Sequence, residues 1–180
     1  MMVDYEKILN EAIEFGFDAG NILDVSKLNF LPEVRQMCES ARCGAYGKNW
    51  ACPPHCGTIE ECEADTRRFE KGIIVQTVTQ LEDSFDIENM ELGAKKNSKL
   101  VADFSKNLKE KYEVLVLGAG ACRVCGTCAC PQEPCRFPGK RISSMEAYGL
   151  LVSDVCKDFN LKYINGANTV TYTNCFLIKE

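Results

Sequence analysis

The chain contains 180 residues, of which 46 % are hydrophobic and 26 % are charged, with a formal net charge of −5 at pH 7. These proportions are those of a globular protein that buries its own core, and the negative charge argues against a nucleic-acid-binding protein. Twelve cysteines exceed ordinary globular usage but fall short of the density of small disulfide-stabilised proteins. The thiols are therefore expected to serve a purpose other than bulk stability.

Helices and strands alternate along the chain. Helices are predicted where apolar residues recur every three or four positions, and strands where β-branched and apolar residues cluster. The predicted helices cover residues 3–15, 32–38, 58–71, 86–111 and 143–159. The predicted strands cover residues 73–81, 112–117, 161–165 and 169–178, and residues 21–30 are expected to form a short strand or an extended segment.

Local patterns refine this order. Thr58 with Glu61, and Ser143 with Glu146, match the capping box that begins a helix, so two cysteine-rich loops are expected to lead directly into helix N-termini. The order strand, helix, strand over residues 73–117 predicts the crossover that joins neighbouring parallel strands.

We expect an α/β fold with a small mixed sheet flanked by helices, in one domain over residues 1–180 with cluster-binding cysteine loops at 38–62 and 118–139. The first residues carry early acids, unlike a secretory signal, and the longest apolar runs fall far short of the roughly 18 residues of a membrane span. A cytoplasmic protein without membrane contact is expected. In a reducing compartment, thiols are more often metal ligands or redox groups than disulfides.

The first cysteine loop lacks helical or strand periodicity and is rich in glycine and proline, which indicates a loop that needs an external anchor. Its five cysteines are Cys38, Cys43, Cys52, Cys56 and Cys62. Their spacing matches no standard motif. We expect Cys38, Cys43 and Cys52 to bind a metal cluster together with either Cys56 or Cys62, and Cys56 is preferred because Cys62 falls within a predicted helix. In the alternative, some of these residues are buried free thiols.

The second cysteine loop carries the strongest signal. Cys122, Cys125 and Cys128 are each separated by two residues, a spacing that lets a tight loop bind three corners of a [4Fe-4S] cluster. The fourth ligand is Cys130 or Cys135. We choose Cys135, because one intervening residue leaves Cys128 and Cys130 little reach to bind different irons. A structural zinc site is the alternative, although zinc sites normally join two separated cysteine pairs.

Other side chains of the first loop have possible roles near a cluster. Tyr46, Lys48, Asn49 and His55 would be donors if one iron were left open, whereas solvated or loop-fixing roles are the simpler interpretation. His55, the single histidine, is also a possible iron ligand. Trp50 and Tyr46 are expected to shield a cluster from water.

Positive charge is concentrated in the two cysteine loops of this acidic chain, as expected for segments that hold an anionic centre. The basic residues are Arg42 and Lys48 in the first loop and Arg123, Arg136, Lys140 and Arg141 in the second.

Two further features have structural interpretations. Gly118 and Gly120 follow a predicted strand, but Arg123 occupies the third glycine position of a dinucleotide-binding motif, so these glycines are expected to allow close approach of the backbone to a cluster. Cys156 and Cys175 are isolated and are expected in the core.

Several of these motifs together resemble the DUF2284 family of predicted metal-binding proteins over residues 38–178. They are a cysteine pair before Tyr46-Gly47-Lys48, the run Trp50-Ala51-Cys52-Pro53-Pro54, the Cys122 triplet with Pro134-Cys135-Arg136, and Ser144-Met145-Glu146-Ala147. The resemblance implies metal or iron–sulfur binding and no known reaction. By position it supports Cys38, Cys43, Cys52, Cys122, Cys125, Cys128 and Cys135 as ligands. Cys56, Cys62 and Cys130 look like additions in this sequence.

The sequence thus favours an iron–sulfur protein with two [4Fe-4S] clusters that exchanges electrons with a redox partner protein in an anaerobic setting. One alternative is an enzyme that uses an open iron in the first loop to activate a small sulfur-containing or anionic substrate. A second alternative is a zinc-stabilised interaction module. Whether the protein is an enzyme is left open.

Overall fold

A five-stranded mixed sheet forms the centre of the protein, whose computed structural model describes residues 3–40 and 43–180. The strands are β1 (Ala19–Asp24), β2 (Lys71–Gln80), β3 (Glu113–Gly118), β4 (Ser143–Ser144) and β5 (Thr169–Lys179). They lie in the order β1-β2-β5-β3-β4. All neighbouring pairs are antiparallel except β3 and β4, which are parallel.

Helices pack on both faces of this sheet, which confirms the predicted α/β class. They are α1 (Tyr5–Phe15), α2 (Pro32–Glu39), α3 (Ile59–Thr66), α4 (Ile87–Lys109) and α5 (Val152–Asp158). Short 3-10 helices cover Val25–Lys27, Pro138–Lys140 and Glu146–Tyr148. The prediction of a single domain stays a prediction.

Alternation along the strands divides the core into two layers. In β2, Ile73 and Val75 point to the face covered by α1 and α4, whereas Ile74 points to the face covered by α3 and α5. The same alternation places Phe176 of β5 in the first layer and Cys175 in the second. Successive strand residues face opposite sides of a sheet, so this pattern fixes the register of the two central strands.

The capping box at α3 is confirmed, but the predicted helix is too long. The Glu61 amide donates to Thr58 Oγ1 at 3.2 Å, and the Thr58 amide donates to Glu61 Oε2 at 2.7 Å. The helix ends at Thr66, because Lys71 and Gly72 already pair with β1 as part of β2. A Cβ at Gly72 would lie 2.1 Å from the Phe176 carbonyl oxygen, so this close strand contact requires glycine.

The crossover prediction gives the correct strand direction but the wrong neighbours. β2 and β3 run in the same direction around α4, but they are not neighbours, because β5 lies between them and is antiparallel to both. The last strand of the chain is long and almost entirely buried in its second half, so it takes the central position. Chain order alone does not reveal such an insertion.

Two predicted elements near the C-terminus are wrong. Ser143 does not begin a helix, because Ser143 and Ser144 form β4 beside β3, and α5 begins only at Val152. The Ser144 hydroxyl instead accepts a hydrogen bond from the Ala147 amide at 3.0 Å, within a short 3-10 turn. Residues 161–165 form no strand. The second cysteine loop therefore leads into a strand, whereas the first leads into α3 as expected.

Candidate metal centre

The four cysteines predicted as one ligand set in the second loop lie around a common cavity. Cys122, Cys125, Cys128 and Cys135 all line this cavity, which has a volume of about 20 Å³. Cys130 does not line it. Its side chain is 5 % exposed and its thiol contacts the Gly47 carbonyl oxygen at 3.8 Å. Cys135 therefore lies at the cavity and Cys130 outside it, and the choice between them as a ligand stays a prediction.

The backbone of this loop has few hydrogen bonds of its own. No described residue accepts a hydrogen bond from a main-chain N–H between residues 120 and 132. The loop is held instead by a few side-chain contacts, such as the bond from Arg136 Nη1 to the Thr127 carbonyl oxygen at 2.9 Å. Gly120, Gly126 and several of their neighbours are exposed, so these N–H groups are open to water or to an acceptor such as a thiolate or sulfide.

The first loop contacts the second through two side chains at the cavity. Asn49 Nδ2 donates to the Cys122 carbonyl oxygen at 3.0 Å, while Asn49 Oδ1 accepts from the Ala51 amide at 2.9 Å. Trp50 Nε1 donates to the Glu133 carbonyl oxygen at 2.9 Å. Both side chains also line the cavity. Sequence reasoning named Asn49 only as a possible donor and did not foresee that it joins the loops.

The four cysteines preferred for the first site interact electrostatically. Burial raises the pKa of Cys52 to about 12, and negative charge on Cys43, Cys56 and Cys38 acts in the same direction. Burial also raises the pKa of Cys38, with a further contribution from Cys43. Cys122 adds to the shift at Cys52, so the two cysteine sets are themselves neighbours.

Cys56 and Cys62 form a hydrogen-bonded pair beside Arg35. The bond with Cys62 lowers the pKa of Cys56, and the charges of Arg35 and Arg141 act in the same direction. The same bond and burial raise the pKa of Cys62. Because a metal ligand must be a thiolate, Cys56 has the more suitable environment of the two.

Arg35 is a residue that sequence reasoning missed. Its guanidinium donates to the Gly57 carbonyl oxygen at 2.6 Å, to the Ala147 carbonyl oxygen at 2.9 Å and to Cys62 Sγ at 3.6 Å. It therefore ties α2 to the end of the first loop and to the segment after β4. Its position one helical turn before Cys38 was the available signal.

The remaining predicted residues have simpler surroundings. The His55 ring lies edge-on to Trp50 with centroids 4.9 Å apart. Cys156 and Cys175 are 0 % and 1 % exposed, which confirms their expected core positions. Arg42 lies outside the described residues. Within residues 3–40 and 43–180, no three Cys, His, Asp or Glu side chains converge closely enough to hold a metal ion, so the ligand sets stay a prediction.

Comparison with known proteins gives one result. The family model for DUF2284, described as a predicted metal-binding protein, matches residues 21–178. No curated protein and no solved structure matches the chain. None of the described helices is both long and apolar enough to cross a membrane. Since the match covers most of the sequence and both cysteine loops, the chain belongs to the DUF2284 family of predicted metal-binding proteins.

Proposed function

We propose that this protein binds an iron–sulfur cluster of the [4Fe-4S] type through Cys122, Cys125, Cys128 and Cys135 and uses it for electron transfer. The observation that carries the proposal is that these four thiols line one cavity, while Cys130 of the same loop points elsewhere. Three cysteines at two-residue intervals with a distant fourth are typical of such clusters. A bound cluster would supply one-electron redox chemistry.

The protein around the cavity supports this role in two ways. The unpaired amides between residues 120 and 132 are potential hydrogen-bond donors to thiolate and sulfide, and such bonds raise the reduction potential of a cluster. The side chains of Trp50, Phe137 and Arg141 also line the cavity. The two aromatic rings limit the access of water, and the guanidinium offsets the negative charge of a thiolate-bound cluster.

The first loop is proposed to hold a second cluster through Cys38, Cys43, Cys52 and Cys56. The mutual electrostatic effects of these four thiols support a common site, because like charges at Cys43, Cys56 and Cys38 already oppose ionisation of Cys52. The positive charge of bound metal ions would offset the repulsion between the thiolates and so favour ionisation of Cys52. Cys56 is preferred over Cys62 because its hydrogen bond and the nearby arginines stabilise the thiolate.

The test is metal and sulfide analysis of protein purified without oxygen, followed by EPR spectroscopy of the reduced sample. Two clusters predict about eight irons and eight sulfides per chain. Cys135→Ala should lower this content to about four irons, since the second site loses a ligand. Cys130→Ala is the matched control in the same loop and should retain the full content. Zinc without sulfide would contradict the proposal and favour an interaction module.

The two candidate ligands after Cys52 can be separated in the same experiment. Cys56→Ala should alter the EPR signal of the first cluster, whereas Cys62→Ala should leave iron and sulfide unchanged. The reverse result would move the fourth ligand to Cys62. An unchanged spectrum in both variants, together with a signal that shifts when a small anionic ligand is added, would favour the enzyme with an open iron.

A further inference from the structure

A second and much larger cavity lies on the other side of Cys122. It has a volume of about 690 Å³ and lies between α4 and the chain that leaves β3, with the segment before β4 and Asn174 of β5 also lining it. Its size falls in the range of small-molecule binding sites, which are about 300–1,000 Å³. Cys122 and Val124 line both this cavity and the small cavity of the cysteine set, so the two are adjacent.

Positive charge dominates the wall of the large cavity. Six basic side chains line it against two acidic ones, Asp103 and Glu110. The basic residues are Lys95, Lys99, Lys106, Lys109, Arg123 and Lys140. Within residues 3–40 and 43–180, only Lys99 among the six forms an ion pair, with Asp103. This excess on a protein with a net charge of −5 indicates a site for an anion.

The floor of the cavity offers hydrogen-bond donors. Asn97 and Asn174 are 3 % and 0 % exposed, and each amide nitrogen donates to the other residue's amide oxygen, at 3.2 Å and 2.9 Å. A primary amide carries two N–H bonds, and no described residue accepts the second one from either side chain. Asn97 keeps a small exposed surface at the floor, so a ligand acceptor there can reach its amide, whereas Asn174 is fully covered and holds Asn97 in place.

The backbone at the entrance is also open. Gly118 and Gly120 line the cavity, and a Cβ at Gly120 would meet no atom within 4 Å. Gly120 has a φ of +75°, a left-handed conformation that glycine adopts without strain, so no side chain narrows the entrance there. Gly118 and Gly120, which do not complete a dinucleotide-binding motif, therefore line this cavity.

We propose that this cavity binds an organic phosphate of nucleotide size, with its phosphate among the basic side chains and its polar body on Asn97. A phosphate ester carries close to two negative charges at neutral pH and matches the charge excess better than a single carboxylate does. The volume leaves room for an organic body beyond the phosphate. This site borders the proposed cluster at Cys122, and the proposal extends beyond electron transfer.

Isothermal titration calorimetry with inorganic phosphate, pyrophosphate, ADP and flavin mononucleotide tests the proposal on the purified protein at about 0.1 M salt. ADP or flavin mononucleotide should bind more tightly than inorganic phosphate. Lys106→Ala should weaken that binding about fivefold, because it removes an unpaired cation of the wall. Lys96→Ala on the same helix is the control, since Lys96 does not line the cavity.

A second pair of variants tests the cavity itself. Ala102 lies on the exposed part of α4 and lines the cavity, so Ala102→Trp should occupy part of it and weaken binding by about tenfold. Asn107→Trp places the same ring on an exposed position of α4 outside the cavity and should bind normally. No binding of any probe up to about 5 mM, equal affinity for inorganic phosphate and ADP, or unchanged binding by Ala102→Trp would each overturn the proposal. Iron and sulfide content is measured separately, so failure here leaves the cluster proposal intact.

Discussion

The cysteines of this protein differ mainly in their surroundings. Cys122, Cys125, Cys128 and Cys135 share a cavity, whereas Cys175 lies in the centre of the sheet with its sulfur 3.3 Å from Met145 Sδ. Burial raises the pKa of Cys175 strongly. A thiol that stays protonated in the core is a packing residue, and a thiol at a cavity that it shares with three other thiols is a candidate ligand.

Removal of the Cys175 thiol should change how stability depends on alkaline pH. Burial raises the folded-state pKa, so the unfolded chain ionises first. The contribution of the protonated Cys175 thiol to the free energy of unfolding is therefore fully present below roughly pH 8.5, and it is lost as the pH rises above that value. Cys175→Val keeps the volume and removes the ionisation, so urea unfolding at about pH 10 should show a smaller loss relative to about pH 7.5 than in the wild type.

Met145→Leu is the control for this measurement, because it changes the packing partner without changing any titrating group. Its unfolding free energy should decrease with pH as steeply as that of the wild type. Equal slopes for Cys175→Val and the wild type would show that the Cys175 thiol does not control the alkaline loss.

At the scale of elements, α4 depends on one glycine for its distance from the sheet. A Cβ at Gly93 would lie 2.4 Å from Thr79 Oγ1, and Gly93 is a buried interior residue in the first half of the helix. Alanine is the better helix former by about 1 kcal/mol, but the overlap in a packed interface costs about 1–3 kcal/mol. The close approach therefore outweighs helix propensity at this position.

Gly93→Ala should accordingly lower the free energy of unfolding by roughly 1 kcal/mol, measured by urea denaturation. Gly139→Ala is the control, since a Cβ there would meet no atom within 4 Å. Addition of Thr79→Ala to the Gly93→Ala variant should recover part of the loss. An increase in stability on Gly93→Ala alone would mean that α4 shifts to accept the methyl group.

The elements also show what local sequence does and does not determine. Thr58 and Glu61 form the predicted capping box, because no strand competes for them. Ser143 and Glu146 match the same pattern, but pairing of Ser143 with Leu117 places the serine in a strand instead. The insertion of β5 between β2 and β3 depends on contacts between residues far apart in sequence, which periodicity cannot reveal.

In the candidate site, too, local sequence predicts some features, whereas others depend on contacts between distant residues. Spacing alone selected Cys122, Cys125, Cys128 and Cys135, and these residues do share a cavity. The hydrogen bond from Asn49 to Cys122 joins the two loops, and no motif in either loop encodes it. The large cavity beside α4 was also missed, because its basic residues come from a helix and from loops that are distant in sequence.

For the molecule as a whole, the sheet and the cysteine loops are largely separate. The two core clusters consist of strand residues and helix residues, and of the eight candidate ligands only Cys56 packs against them. No main-chain N–H of residues 120–132 donates a hydrogen bond to a described residue. The core therefore has its own source of stability, while the second cysteine loop has few main-chain hydrogen bonds to hold it.

Removal of the metal should consequently loosen the loops without unfolding the sheet. In hydrogen exchange followed by mass spectrometry, amides of residues 120–135 should exchange faster after oxidative chelation of the metal, because they lose their acceptors. Amides of residues 43–57 should also exchange faster, because that loop loses its cross-links. Peptides from β2 and β5 should keep their protection, and peptides from α1 provide the internal reference. Global loss of protection would instead place this protein with small metal-dependent domains, in which metal binding supplies the free energy of folding.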